Sequence, residues 1–419
     1  MPQACTQAHH RPLRIALLGY RSNPYSGGQG VYLKYVSRAL TQLGHEVHVI
    51  SGEPYPDLDD GIRLVKLPGL NLYEQEHPFR ALRWRHLLRP TDLFEWASML
   101  SGGFPEPYTF GRRVRRYLEE HREEYDVVHD NQCLAYGLLG LQSQGVPLVT
   151  TIHHPITFDL DIALANTESL GLRLLIKRWH RFLRMQIKVA RQLRHIITVS
   201  ECSKRDICQA FGVAAERVHV IRNGVDCQEF APQPHINREP RHLITTASAD
   251  QPLKGTQHLI PAFARLREEF PDLHLTFIGK PKPEGATAAL IEQCRVGDYI
   301  TFLHGVSSKD IVNLYARASV AIVPSEYEGF GLPAAEAMAC GVPVVATNGG
   351  ALPEVVGDAG VIVPKADPAA LATAVARLLN DQAGADHLAA AGRQRVQDAF
   401  SWSDVAGELT RYYRGVIAA

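Results

Sequence analysis

Pro324–Pro343 reads PSEYEGFGLPAAEAMACGVP. A β-branched apolar run, Val320–Val323, precedes it, and an Ala-rich segment stopping at Gly341 completes it. The stretch is therefore expected to be the turn between a buried strand and a short helix. Gly329 and Gly331 let the backbone pass close to a ligand with its N–H groups exposed. A helix opening near Pro333 loses no useful donor to the proline, and its positive end adds to an anion site suited to a diphosphate. Glu328 falls in the loop and Glu336 about one turn into the helix. A carboxylate so placed can accept two hydrogen bonds from a ribose diol or a sugar ring. Two glutamates at a helix start can equally do no more than favour its dipole.

Outward from this segment, short apolar runs alternate with amphipathic stretches, the pattern of βα units and a parallel sheet. The first half has strand candidates at 14–18, 47–50, 127–129, 148–152 and 196–199. The second half has them at 243–247, 273–278, 299–303, 320–323, 342–345 and 361–363. Between the two series lies the proline-rich polar stretch APQPHINREP, 231–240, which reads as a linker. The fold class expected is α/β, with two doubly wound parallel-sheet domains over 1–230 and 231–400. In such sheets ligands sit beyond the carboxyl ends of the strands, so two facing edges would form a cleft.

The chain has 419 residues and a formal net charge of +0, so no overall basic field argues for a nucleic-acid partner. Its seven cysteines, without a CxxC pair, read as free thiols of a reducing compartment. No apolar run approaches the roughly 18 residues of a spanning helix. The opening MPQACTQAHHRPLR lacks the apolar stretch of a signal peptide. The expected location is the cytoplasm.

The full string 324–343 resembles the E-x7-E signature of the retaining glycosyltransferases of family 4, with Glu328 and Glu336 as its glutamates. The flanking EGFGL and EAMACGVPVVA match that family almost residue for residue. The resemblance covers nearly the whole chain. It implies a GT-B fold, two Rossmann-like domains facing across a cleft, with a C-terminal helix at about 401–419 packing back on the first. Donor contacts are implied for Glu328, Gly329, Phe330, Gly331, Leu332 and Glu336. PYSGGQG, 24–30, is similar to the family's glycine-rich loop, and there Gly27 and Gly28 would approach the donor. TTIHHP, 150–155, is similar to the strand-end T-x-H motif. His153 is the match by position, and His154 stays open as the working residue. Val199–Glu201 and Asn223–Asp226 fit two architectural landmarks, and Lys254 resembles the lysine that meets the donor diphosphate. Arg222, Asn223, His154 and Asp159 are further expected contacts to donor or acceptor.

One departure stands out. The family usually has an arginine five or six residues before that lysine, and here those positions are Ala249 and Ser248. A bidentate phosphate partner is therefore missing.

The implied chemistry is cleavage of an anomeric C–O bond, which builds negative charge on the leaving diphosphate. Lys254, the loop amides and the helix end would stabilise it without a metal or other cofactor. Glu328 would hold the sugar, Glu336 the ribose, and His153 would lie beside the transferred group. Retention by front-face attack needs no protein nucleophile. Two Asp-x-Asp triplets, Asp57–Asp59 and Asp159–Asp161, are too short a pattern to argue for a metal. The expected partners are a nucleotide-sugar donor (a UDP-sugar first, a GDP-sugar second) and a hydroxyl acceptor that is lipid-linked, cell-envelope or small-molecule. A monomer or weak homodimer is expected. Within the same fold the competing reading is a sugar-phosphate synthase or nucleotide-sugar epimerase. The reading of a different class is a non-catalytic nucleotide-sugar-binding protein.

Residues 170–195 carry eight Lys/Arg and no acid, interleaved with Leu175, Trp179, Phe182 and Leu183. Such a helix can lie on an anionic bilayer, peripheral to the inner face of the membrane. It can also pack between sheet and solvent with its long basic side chains reaching outward. The packed reading is the one expected.

Overall fold

In the computed structural model the described residues are 11–24, 28–165, 167–247 and 249–419. Two parallel sheets with helices on their faces, each a Rossmann-like arrangement, organise the chain. The first has seven strands: β1 Arg14–Gly19, β2 Glu46–Ser51, β3 Arg63–Lys66, β4 Val127–Asn131, β5 Leu148–Ile152, β6 Ile196–Thr198 and β7 Val218–Val220, in the order β3-β2-β1-β4-β5-β6-β7. The second has six: β8 His242–Thr246, β9 His274–Ile278, β10 Ile300–Leu303, β11 Val320–Val323, β12 Val344–Thr347 and β13 Val361–Val363, in the order β10-β9-β8-β11-β12-β13. Pairing is parallel, with Ile15 opposite Val47 and Val127 in the first sheet and Leu243 opposite Leu275 and Val320 in the second.

The central strands are buried along almost their whole length, as helices on both faces require. In each sheet the order reverses once, beside β1 and beside β8. The carboxyl ends of these strands are where a doubly wound sheet leaves room for a ligand. Beneath the second sheet, Leu259, Phe263 and Leu266 of the helix Thr256–Glu269 pack with Leu243, Leu275, Phe277 and Ile322.

The chain forms two compact units. One comprises the described part of Met1–Thr151 with Arg184–Ile196 and Ala406–Ala419; the other comprises Ile152–Leu183 and Ile197–Val405. In the first unit the buried His129 of β4 hydrogen-bonds Thr151 and, from the C-terminal helix Trp402–Ala418, the Tyr413 hydroxyl.

All eleven expected strands form, with ends shifted by one or two residues. The edge strands β3 and β7 were not anticipated. RLVK and VHV are too short and too exposed to show a period.

Residues 170–195 depart from expectation. A helix Leu170–Trp179 and a helix Leu183–Ala190 are separated by a 3₁₀ turn at His180–Phe182. Leu183, Met185 and Val189 are buried as the packed reading requires. In Leu170–Trp179 no residue is buried, and Leu170 and Leu174 are 79% and 69% exposed. The packed reading therefore holds for the second helix only. Among the described residues no helix is long and apolar enough to cross a membrane.

Candidate functional site

The turn that follows β11 is built by close backbone approaches. A Cβ on Gly255 would lie 1.9 Å from the Pro324 carbonyl, and the Glu326 N–H donates to the Leu253 carbonyl at 2.8 Å. Only a glycine permits the first contact, and its φ of +68° also ends the helical turn before it. Lys254 consequently stands outside the first turn of the following helix. It closes a 3₁₀ turn, Pro252–Lys254, and the helix Thr256–Glu269 starts beyond Gly255.

This juxtaposition brings Lys254 to Glu328. Its ammonium donates to Glu328 Oε1 at 2.7 Å, and the Ser325 hydroxyl donates to the same oxygen at 2.8 Å. The Glu328 backbone is held too. Its carbonyl accepts from Ala351 N–H at 2.9 Å, and a Cβ on Gly350 would lie 2.2 Å from that oxygen.

Beyond Glu328, Gly329 meets the His153–His154 backbone. A Cβ there would come within 2.6 Å of the His153 carbonyl and 3.3 Å of His154 Cβ. The Gly329 carbonyl accepts from the hydroxyls of Ser200 at 2.7 Å and Ser203 at 3.0 Å, and Ser203 also reaches the His153 carbonyl at 3.0 Å. Ser200 is at the same time the N-cap of the helix Glu201–Phe211. That helix start is further fixed by Glu354, whose carboxylate accepts from the N–H groups of Glu201 and Cys202. His154 Nε2 lies 3.2 Å from Asp159 Oδ2, and Tyr327 packs between the rings of His154 and Phe158 while donating to Asp206.

The helix Leu332–Ala339 begins at Gly331, whose φ of +105° no β-carbon-bearing residue adopts readily, with proline in its first turn. Glu336 is half-buried on it. Among the described residues no side chain or N–H donates to its carboxyl. Desolvation, with the Glu229 charge added, pushes its pKa up to about 8. A desolvated carboxyl without a donor can take one from a ligand.

Of the other expected contacts, Phe330 buries its ring edge-to-face on Phe400, centroids 5.4 Å apart, so it can serve a ligand through its backbone alone. Gly28 opens the helix Gly28–Gln42 in the other unit, with nothing within 4 Å of an added Cβ; Gly27 lies outside the described residues. Arg222 is exposed and Asn223 is buried with its side-chain carbonyl unpartnered. Their segment contacts Phe400–Trp402: Val225 N–H donates to the Phe400 carbonyl at 2.7 Å and Gly224 packs on the Trp402 ring. Of the Asp-x-Asp triplets, Asp57 and Asp59 pair with Lys34 and Arg38, and Asp159 with His154.

Residues 228–395 match the model for glycosyl transferases group 1, and residues 26–229 match that for glycosyltransferase family 4. An MMP alpha-(1->4)-mannosyltransferase of Mycolicibacterium hassiacum is 45% identical over 97% of this chain and 99% of its own length. The chain belongs to the family 4 glycosyltransferases. Solved structures place this glycosyltransferase in the GT-B fold. A sucrose-phosphate synthase from Thermosynechococcus elongatus superposes with a TM-score of 0.72 at 24% identity, covering 97% of this chain and 99% of that one. Anabaena Alr3699/HepE in complex with UDP-glucose gives 0.68 at 18% identity, over 96% and 100%.

Ser200, Ser203, Ser325 and Glu354 were missed as supports of the site. Val199–Glu201 read only as an architectural landmark. A serine followed by helical residues is nonetheless an N-cap signal, and the cap oxygen here serves the Glu328 loop as well.

Proposed function

We propose that this glycosyltransferase moves a hexosyl group from a nucleotide-sugar donor to a hydroxyl acceptor, with retention of anomeric configuration and without a metal. The observation that carries the reading is Glu336: a donor-free carboxyl eight residues after Glu328, whose own carboxylate already holds a lysine. A ribose diol supplies the two hydrogen bonds that Glu336 lacks. The donor diphosphate takes Lys254 from Glu328 and meets the amides of the Gly329–Leu332 turn, where charge develops as the C–O bond breaks. Glu328, relieved of the lysine, then accepts from the sugar hydroxyls. His153 and His154 stand beside the turn, on the side of the transferred group.

The relative's name refines the sugar. An α-(1→4)-mannosyltransferase supports an α-mannosyl product, and an α-linked donor giving an α-linked product is retention. GDP-mannose therefore belongs beside the UDP-sugars that the solved Anabaena complex favours. Lys34 and Arg38 neutralise Asp57 and Asp59, which supports a metal-independent reaction.

The test is a thermal-shift titration with UDP, GDP, ADP and their sugars, followed by turnover of the stabilising donor and NMR assignment of the product anomer. One nucleotide should raise the melting temperature, and the product should keep the donor's configuration. An inverted anomer refutes retention, and no response to any nucleotide refutes the donor reading.

A further inference from the structure

Of the two positions where family resemblance leads one to expect a phosphate-binding arginine, Ser248 lies outside the described residues and Ala249 has become part of an anchor. Ala249 is 4% exposed and belongs to the core under the second sheet, so no cation could be presented from its place. The next residue, Asp250, turns toward the loop after β9. Its Oδ2 accepts from the Lys282 N–H at 2.6 Å and its Oδ1 from the Thr287 N–H at 3.2 Å. Thr287 returns a bond from its hydroxyl to the Ala249 carbonyl at 2.7 Å. Gly285 makes the approach feasible: a Cβ there would lie 2.5 Å from Asp250 Oδ1. At the other end of the same loop, a Cβ on Gly279 would lie 2.1 Å from the Ala247 carbonyl.

Lys280 follows Gly279 directly, so its backbone is pinned at the carboxyl edge of β9, beside the carboxyl edge of β8. Adjacent parallel strands lie about 4.8 Å apart, and the segment leaving β8 is the one that carries Lys254. Lys280 is exposed, and no carboxylate among the described residues pairs with it. Pro281, directly after it, restricts the Lys280 backbone, lowering the entropy lost when the lysine is immobilised.

We propose that Lys280, held by the Asp250-anchored loop, supplies the second cation that grips the donor diphosphate where an arginine before Lys254 is absent. The proposal rests on the nucleotide-sugar reading above. Asp250 is a positioning residue, acting through the loop. A lysine contributes a point charge without the fork of a guanidinium, so this clamp selects charge over phosphate geometry.

Calorimetric titration of the full chain with GDP, UDP and ADP, and with guanosine, uridine and adenosine, tests this. For the diphosphate that binds the wild type, Lys280→Ala should weaken affinity roughly tenfold, the scale of a charge-assisted contact. Its nucleoside should bind within about twofold of wild type, and Lys280→Arg should keep most of the diphosphate affinity. Asp250→Ala should lose a similar factor, and adding it to Lys280→Ala should cost little more, because both remove one contact. Lys282→Ala, which leaves the anchoring N–H in place, serves as the charge control. An unchanged diphosphate affinity in Lys280→Ala overturns the inference, as does an equal loss in Lys282→Ala. If Asp250→Ala does not fold, the Lys280 and Lys282 variants still decide. Wild-type protein that binds none of the three diphosphates overturns the nucleotide-sugar reading itself; wild-type binding that is indifferent to Lys280 overturns this inference alone.

Discussion

The Lys254 ammonium and the Glu328 carboxylate are 2.7 Å apart, joined across 74 residues of sequence by the contact of two turns at Leu253–Gly255 and Pro324–Glu326. The pair is partly shielded, with side chains 27% and 11% exposed. Each partner thus holds the other.

Lys254→Met should therefore weaken nucleoside diphosphate binding by about 1.5–3 kcal/mol, the range for hydrogen bonds to charged groups. On the proposed sugar-holding role of its carboxylate, Glu328→Gln should leave nucleotide affinity nearly intact and lower turnover. Calorimetry with the nucleotide alone, set against kcat with the full donor, separates the two roles.

Glu336 makes a pH prediction. Its pKa stands at about 8 in the folded chain and near the ordinary carboxylate value in the unfolded one. Between these limits the folded state holds a proton that the unfolded state has released. The stability associated with this proton is fully present below the ordinary value and is lost as pH rises to about 8. Glu336→Gln should flatten that part of the melting-temperature profile. Ribose binding needs the carboxylate, so nucleotide binding should release a proton near pH 7, visible as a buffer-dependent binding enthalpy. A wild-type enthalpy independent of buffer would remove the ribose role.

Ser200 couples a helix cap to the Glu328–Gly329 turn. Ser200→Ala should lower stability in urea by about 1 kcal/mol from the lost cap. It should also weaken nucleotide binding, because the Gly329 carbonyl loses one of its two hydroxyl donors. Equal nucleotide affinity in the variant would make the serine a cap only.

Gly350 has a φ of +63° and leaves no room between itself and the Glu328 carbonyl. Gly350→Ala is expected to cost roughly 2–4 kcal/mol or displace the Glu328 loop. Activity should fall further than the far-ultraviolet circular dichroism of the helices and sheets.

The strands were legible because buried parallel strands are continuous apolar runs, as Val320–Val323 shows. β3 and β7 were not, since an exposed edge strand of three or four residues carries no such signal. Glu328 and Glu336 could be singled out because they flank a glycine-rich turn after a strand; Lys254 and the two histidines stood out only through the family resemblance. Their partners could not. Ser325 and Glu354 act through contacts set by tertiary packing, and Asp250 in SADQP reads as an ordinary turn residue. The exposed Leu170–Trp179 helix was misjudged because interleaved leucines and arginines look the same whether or not a sheet covers them.

The unit that contains the N-terminal strands also contains Ala406–Ala419, with Leu409 and Tyr413 fully buried in it. During synthesis that unit must wait for Ala406–Ala419 to leave the ribosome, after Ile197–Val405 has emerged. The part made first is completed last. A stop codon before Tyr413 would leave His129 without its aromatic neighbour, and would injure a strand made long before it.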